Sequence, residues 1–115
     1  MSLEHLGSGK ILSQATTYNG MVNVCGLTAD DMSFDTKGQT EQILAKIDNL
    51  LAKCGTDKSK ILMATIYLSD MSQKPEMNEA WIDWLGPLER PARACVGAPL
   101  GTSDTLVEIV VSAAK

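Results

Sequence analysis

The segment Lys60-Ile-Leu-Met-Ala-Thr-Ile-Tyr-Leu-Ser69 is nearly continuous in apolar residues and does not alternate strictly with polar ones. A short apolar run of this kind predicts a strand that is covered on both faces of its sheet. A chain of 115 residues forms one domain with one core, so a single helix layer is available for one of these faces. We therefore predict that the other face of the sheet meets another subunit.

Segments before and after this apolar run also have sequence patterns that predict strands. Ile11–Tyr18 and Met21–Thr28 are joined by Asn19-Gly20, which predicts a β-hairpin because both turn residues tolerate positive φ. Further along the chain, Pro91–Ala98 and Thr105–Ala113 have the composition of two more strands. These segments and the apolar one account for the strands of the predicted sheet.

Two further segments have helical signals. Thr36 and Gln39 have the spacing of a capping box, and Gly55 is placed to end the helix as a left-handed cap. The apolar residues between them recur at helical spacing and form one stripe: Ile43, Ile47, Leu50, Leu51 and Cys54. A second helix is predicted over Pro75–Leu85, because proline is favoured at a first helical position and Gly86-Pro87 cannot continue the helix.

The order of the predicted elements is ββαβαββ. Crossover helices on one side of a mixed sheet give a two-layer α+β domain with both helices on one face. No linker, low-complexity tract or repeat interrupts the chain, so residues 1–115 are predicted to form a single domain.

The composition argues against several functional classes. The net charge of −4 and a sequence pI of about 4.8 do not favour a nucleic-acid partner, which is bound through clustered Lys and Arg. No apolar run approaches the roughly 18 residues of a membrane span, and the first residues lack the features of a signal peptide. Three cysteines without paired spacing favour a reducing compartment, so we expect a cytoplasmic protein.

No metal or cofactor site is predicted. His5 is the only histidine, and no Cys-x-x-Cys pair occurs. The glycines Gly7 and Gly9 precede neither a Lys-Ser/Thr pair nor a predicted helix, so they do not form a phosphate loop. We therefore expect a protein that uses neither a metal nor an organic cofactor.

Ionisable side chains occur inside segments that otherwise have the composition of buried strands. In Pro91–Ala98, alternation places Arg93 and Cys95 on one face, and Glu108 lies in the last strand. A guanidinium at such a position suits a planar carboxylate, which it can bind by two parallel hydrogen bonds. The other interpretation is an internal salt bridge between Arg93 and Glu108. No histidine accompanies Cys95, so a packing thiol is favoured over a nucleophile.

Several short motifs occur in a recognisable order along the chain. They are Leu12-Ser-Gln-Ala15, Val24-Cys-Gly26, Gln42–Gly55, Lys60–Asp70, Arg90-Pro-Ala-Arg-Ala-Cys-Val96 and Val107-Glu-Ile-Val110. Each motif is weak alone, but their order and spacing resemble those of the reactive-intermediate deaminase family, called RidA or YjgF, over nearly the whole chain.

This resemblance implies a fold, an activity and roles for particular residues. The fold is the YjgF-like, chorismate-mutase-like homotrimer, with clefts between neighbouring subunits. The activity is cofactor-independent hydrolysis of reactive imines and enamines, such as 2-aminoacrylate, to 2-keto acids and ammonia. Arg93 would bind the substrate carboxylate, Glu108 would place the attacking water, Cys95 would line the cleft, and Gly26 would contribute backbone contacts.

Three positions depart from the family pattern. Leu12, Cys25 and Leu27 stand where many of these deaminases have tyrosine, serine and glutamine. Leu12 and Cys25 are expected to line a more apolar cleft, so we expect a divergent branch with a bulkier or different substrate. The alternatives are a non-catalytic or regulatory protein that binds small carboxylates, a ribonuclease or translation inhibitor, and a chaperone. The acidic composition speaks against the ribonuclease.

Overall fold

The computed structural model describes residues 2–115 as a six-stranded mixed sheet with two helices on one face. The elements are β1 (Glu4–Leu6), β2 (Ala15–Tyr18), β3 (Met21–Leu27), α1 (Thr36–Lys53), β4 (Ile61–Leu68), α2 (Lys74–Leu85), β5 (Ala92–Gly97) and β6 (Val107–Ala114). The strand order is β1-β2-β3-β6-β4-β5, and β4 and β5 are the parallel pair. The predicted two-layer α+β class is confirmed.

The hairpin between β2 and β3 forms at the predicted turn. Asn19 and Gly20 have φ values of 51° and 76°, as a two-residue turn of this type requires. The prediction that the first strand begins at Ile11 is wrong, because that side chain is 93% exposed and β2 begins at Ala15. The preceding chain folds back instead, and Glu4–Leu6 pairs with β2 as an additional edge strand.

Helix α1 has a different N-terminal cap from the predicted one. The Asp35 side chain accepts a hydrogen bond from the Gly38 N–H at 2.8 Å, so Asp35 is the N-cap and the Thr36–Gln39 capping box is not formed. The C-terminal prediction is confirmed. Gly55 has φ +80°, and the Thr56 N–H donates to the Leu51 carbonyl in a Schellman-type arrangement.

Gln39 is fully buried and joins the start of α1 to the start of β6. Its Nε2 donates to the Asp104 carbonyl at 3.0 Å, and its Oε1 accepts from the Leu106 N–H at 3.0 Å. The same Nε2 also donates to the Phe34 carbonyl at 3.0 Å. A buried amide with these partners satisfies its polar atoms, which is why glutamine can occupy a core position here.

The core lies between the helices and one face of the sheet. Ala64, Ile66 and Leu68 of β4 have no exposed surface, and Ile109 of β6 is equally buried. The opposite face of the sheet is open in the single chain and is mixed in character, with Met63, Tyr67 and Glu108 among its residues. Coverage of this face by another subunit stays a prediction. Neither helix described in residues 2–115 is long and apolar enough to cross a membrane.

Candidate functional site

A β-bulge in β3 positions two of the expected site residues. Val24 pairs with Val111 and Leu27 pairs with Ile109, so Cys25-Gly26 lies opposite a single residue of β6. An extra residue of this kind bends the strand and redirects its side chains. The bulge therefore places residues 25 and 26 at the surface of the sheet, beside the first residues of strand β6.

The Glu108 carboxylate packs directly against Gly26. A Cβ atom built on Gly26 would overlap Glu108 Oε2 and would lie 3.1 Å from Cδ. Only glycine leaves room for the carboxylate at this distance from the backbone. Glu108 alternates along β6 with the fully buried Val107 and Ile109, so its side chain points away from the helices, towards the open face.

Leu12 and Cys25 border a cleft beside this pair. The cleft has a volume of about 330 Å³, and its walls include Leu12, Gln14, Cys25, Gly26, Leu27, Lys46, Asn49, Leu50 and Lys53. Leu12 is 54% exposed, whereas Cys25 is half-buried. Burial raises the pKa of the Cys25 thiol above its ordinary value; Lys46 opposes this shift and Glu108 adds to it. The thiol is therefore protonated at neutral pH and is not an activated nucleophile.

Arg93 lies at the other end of the sheet, on the face that carries the helices. It stands opposite the buried Ala64 in the parallel β4–β5 pairing. Its Nη1 donates to Asn78 Oδ1 at 2.8 Å, and its Cζ lies 5.5 Å from the ring centroid of Trp81. These α2 side chains hold the guanidinium by a hydrogen bond and a cation–π contact. Within residues 2–115 Arg93 forms no ion pair, so its charge is available to a ligand.

The internal salt bridge between Arg93 and Glu108 is not formed. The two side chains point to opposite faces of the same sheet, Arg93 towards α2 and Glu108 towards the open face. The reason is register: Arg93 stands opposite core-facing Ala64, whereas Glu108 stands opposite Tyr67, whose side chain faces the other way.

Cys95 lies where alternation predicts it. It follows Arg93 on the same face of β5, opposite Ile66, and packs partly buried against the core. No histidine contacts it, since the hydrogen bond found for the ring of His5 goes to Ser13. The position fits a packing thiol.

Asn78 is the contact residue that sequence reasoning missed. The second contact comes from Trp81, which is 5% exposed and so belongs to the core, and whose ring also lies against the Arg93 guanidinium. The available signal was helical spacing, because Asn78 and Trp81 are three residues apart and therefore share one face of α2. That face meets the strand that carries Arg93.

The chain is similar to a family of small proteins over almost all of its length. The family model described as endoribonuclease L-PSP matches residues 5–115. A crystal structure of a YjgF-family protein from Neisseria meningitidis has a TM-score of 0.96 to this fold at 38% identity, and the match covers 100% of this chain and 96% of that one.

Two relatives illustrate the range of sequence similarity. A RutC family protein of Haemophilus ducreyi is 46% identical over 102 residues, which cover 89% of this chain and 87% of that protein. The 3-aminoacrylate deaminase RutC of Acinetobacter baylyi is 31% identical over 101 residues, which cover 83% of this chain and 79% of that protein.

Proposed function

This chain belongs to the endoribonuclease L-PSP family, also known as YjgF/RidA, and on that basis we propose that it hydrolyses reactive 2-imino acids and their enamine tautomers to 2-keto acids and ammonia. The observation that carries the proposal is Arg93. Its guanidinium is fixed by Asn78 and Trp81, yet it has no carboxylate partner in residues 2–115. A fixed and unpaired guanidinium is suited to bind the carboxylate of a small acid.

The reaction requires little chemical assistance. The oxygen of water bonds to the imine carbon, the carbon–nitrogen bond breaks, and both water protons end on the departing nitrogen as ammonia. Arg93 would hold the substrate carboxylate, and the Glu108 carboxylate would accept a hydrogen bond from the attacking water as a weak general base. Fixing both reactants accelerates a step that also occurs spontaneously.

We place the reaction between two copies of the chain. Arg93 and Glu108 point to opposite faces of one sheet, so a single copy does not direct both side chains at one small molecule. A neighbouring copy could bring its Arg93 to the Gly26–Glu108 pair. Such a contact is heterologous, because it joins different surfaces of the two copies. A closed symmetric ring repeats a contact of this kind at every boundary between copies, which supports a homotrimer with intersubunit clefts. The free cysteines fit a reducing, cytoplasmic setting, where a protein that removes reactive imines would limit metabolite damage.

Similarity to a 3-aminoacrylate deaminase supports an unsaturated amino acid as substrate. Such a compound carries the carboxylate and the carbon–nitrogen bond on which the proposed roles depend.

Non-catalytic binding of small carboxylates is the second candidate. The observation that favours it is the wall of the 330 Å³ cleft, where Leu12 and the protonated thiol of Cys25 replace the hydroxyl groups common in the family. The two candidates differ in turnover, because a binding protein shows ligand affinity without release of ammonia.

The test is ammonia release from imines generated in place by an amino-acid oxidase, measured above the spontaneous rate. We expect Arg93→Ala to lose nearly all of the added rate, and Arg93→Lys to recover little, because an ammonium has no bidentate fork. Lys60→Ala removes an exposed cation that lines neither the 330 Å³ cleft nor the pocket beside Arg93, so it should keep the full rate and serves as the control. Full activity of Arg93→Ala with a lowered unfolding midpoint would show that Arg93 has a structural role only.

A further inference from the structure

A second arginine borders the same pocket as Arg93. Arg90 is exposed and precedes β5, and the open pocket that it shares with Arg93 has a volume of about 310 Å³. The remaining walls are Asn78, Trp81, Ile82 and Pro91. None of these lining residues is acidic, although the chain as a whole has a net charge of −4.

Both guanidinium groups are anchored through their Nη1 atoms. Arg90 Nη1 donates to the carbonyl oxygens of Gly86 and Leu88, each at 2.7 Å. Arg93 Nη1 donates to Asn78 Oδ1 at 2.8 Å. Within residues 2–115 no hydrogen bond uses the Nε or Nη2 atoms of either side chain, and neither arginine forms an ion pair. In each arginine the Nε–Nη2 edge, which is the fork that binds a carboxylate, is therefore left without a partner in residues 2–115.

Two such forks around one pocket are suited to an acid with two carboxylates. The walls between them also offer apolar surface, since Ile82 is 53% exposed and the Trp81 ring borders the pocket. Methylene groups that link the two carboxylates would rest on this surface and lose contact with water. A monocarboxylate would leave one guanidinium without its partner.

We propose that Arg90 is a specificity-determining residue that binds a distal carboxylate, so that the pocket prefers dicarboxylic 2-imino acids, the imines of acidic amino acids. This inference rests on the proposed function, in which Arg93 binds the first carboxylate.

The binding test compares two keto acids of equal chain length, 2-oxoglutarate and 2-oxopentanoate, by calorimetry. The wild-type protein should bind 2-oxoglutarate about tenfold more tightly, the factor expected for one exposed charge-assisted contact. Arg90→Gln should remove this difference and leave 2-oxopentanoate binding unchanged. Lys60→Gln removes the same charge elsewhere and should keep the difference. Equal binding of the two acids by the wild type, or equal weakening of both by Arg90→Gln, would overturn the proposal.

A parallel turnover measurement separates this proposal from the proposed function. The imines of glutamate and norvaline are generated by matching oxidases, and their hydrolysis is compared in wild type and Arg90→Gln. If both imines are hydrolysed equally well by both proteins, the deaminase stands and the role of Arg90 is refuted. If neither imine is hydrolysed but 2-oxoglutarate binding still depends on Arg90, the dicarboxylate site stands and the deaminase is refuted.

Discussion

The Glu108 carboxylate lies against the backbone of Gly26, so close that a Cβ on residue 26 would overlap its Oε2 atom. The contact joins β3 and β6 at the bulge, next to the cleft bordered by Leu12 and Cys25. Glu108 is half-buried on the open face of the sheet, with the Gly26 backbone on one side of its carboxylate.

We predict that Gly26→Ala lowers imine hydrolysis by at least about tenfold, because the added methyl displaces the carboxylate that positions water. The backbone at residue 26 does not require positive φ, so alanine is tolerated there by the main chain. Gly101→Ala is the matched control, since a Cβ there would meet no atom within 4 Å. Ammonia release and unfolding midpoints, measured together, separate an effect on catalysis from an effect on folding stability. Unchanged turnover in Gly26→Ala would mean that Glu108 has no part in the mechanism.

Asn78 is predicted to act as a positioning residue for Arg93. Asn78→Ala should raise KM about tenfold with a smaller effect on kcat, since the guanidinium loses the 2.8 Å hydrogen bond that orients it for the carboxylate. Asn78→Asp should raise KM further, because the new carboxylate competes with the substrate for Arg93. Glu79→Ala is the control on the same helix. A merely structural role of Asn78 would instead lower the unfolding midpoint and leave KM unchanged.

The placement of the site between copies can be tested by mixing two inactive chains. Arg93→Ala and Glu108→Gln should each be inactive alone. Co-expressed at equal levels, they should regain about one quarter of wild-type activity, since one in four intersubunit clefts then combines both intact residues. Absence of any recovery in mixed assemblies would mean that each site is contained in a single chain.

The assembly itself is a separate prediction. Sedimentation should give a homotrimer at micromolar concentration for the wild type and for Arg93→Ala, because the open face of the sheet leaves side chains such as Met63 and Val96 partly exposed in the single chain. A stable folded monomer at that concentration would contradict both the assembly and the intersubunit site.

The chemical state of Cys25 leads to a pH-dependent prediction. Its pKa is raised in the folded protein, chiefly by burial, so the folded state retains the thiol proton more strongly than the unfolded chain. The protonated thiol therefore contributes to the stability of the folded state. This contribution is fully present at pH values below the thiol's ordinary pKa, and it is lost as the pH rises through the higher pKa of the thiol in the folded protein. Alkylation of Cys25 followed by mass spectrometry should therefore be slow at neutral pH and rise only in alkaline solution. Rapid alkylation at neutral pH would show an activated thiol.

The sequence was most informative where structure depends on neighbouring residues. Asn19-Gly20 and Gly55 each require a local backbone conformation that few residues adopt, and both signals are confirmed by positive φ angles. The short strand Glu4–Leu6 was missed because its three residues carry no alternating apolar signal, and because its pairing with β2 depends on how the irregular segment 7–14 folds back.

The site shows the same division between local and long-range information. Alternation correctly put Arg93 and Cys95 on one face of β5, but it could not tell which face the helices cover. That choice depends on register across β4 and β6, and it decides that Arg93 and Glu108 do not meet within one chain. The contact with Asn78 depends in turn on how α2 packs on the sheet, which no local pattern specifies.

β6 lies between β3 and β4, at the centre of the sheet, although it is the last element along the chain. During synthesis the two strands that flank it leave the ribosome first, with the edges that will hold β6 still unpaired. The apolar side chains of β4 and β3, Ile66 and Val24 among them, remain without their cross-strand neighbours until residues 107–114 emerge. We therefore expect the nascent chain to be prone to aggregation until β6 has been synthesised, because the sheet can close only then.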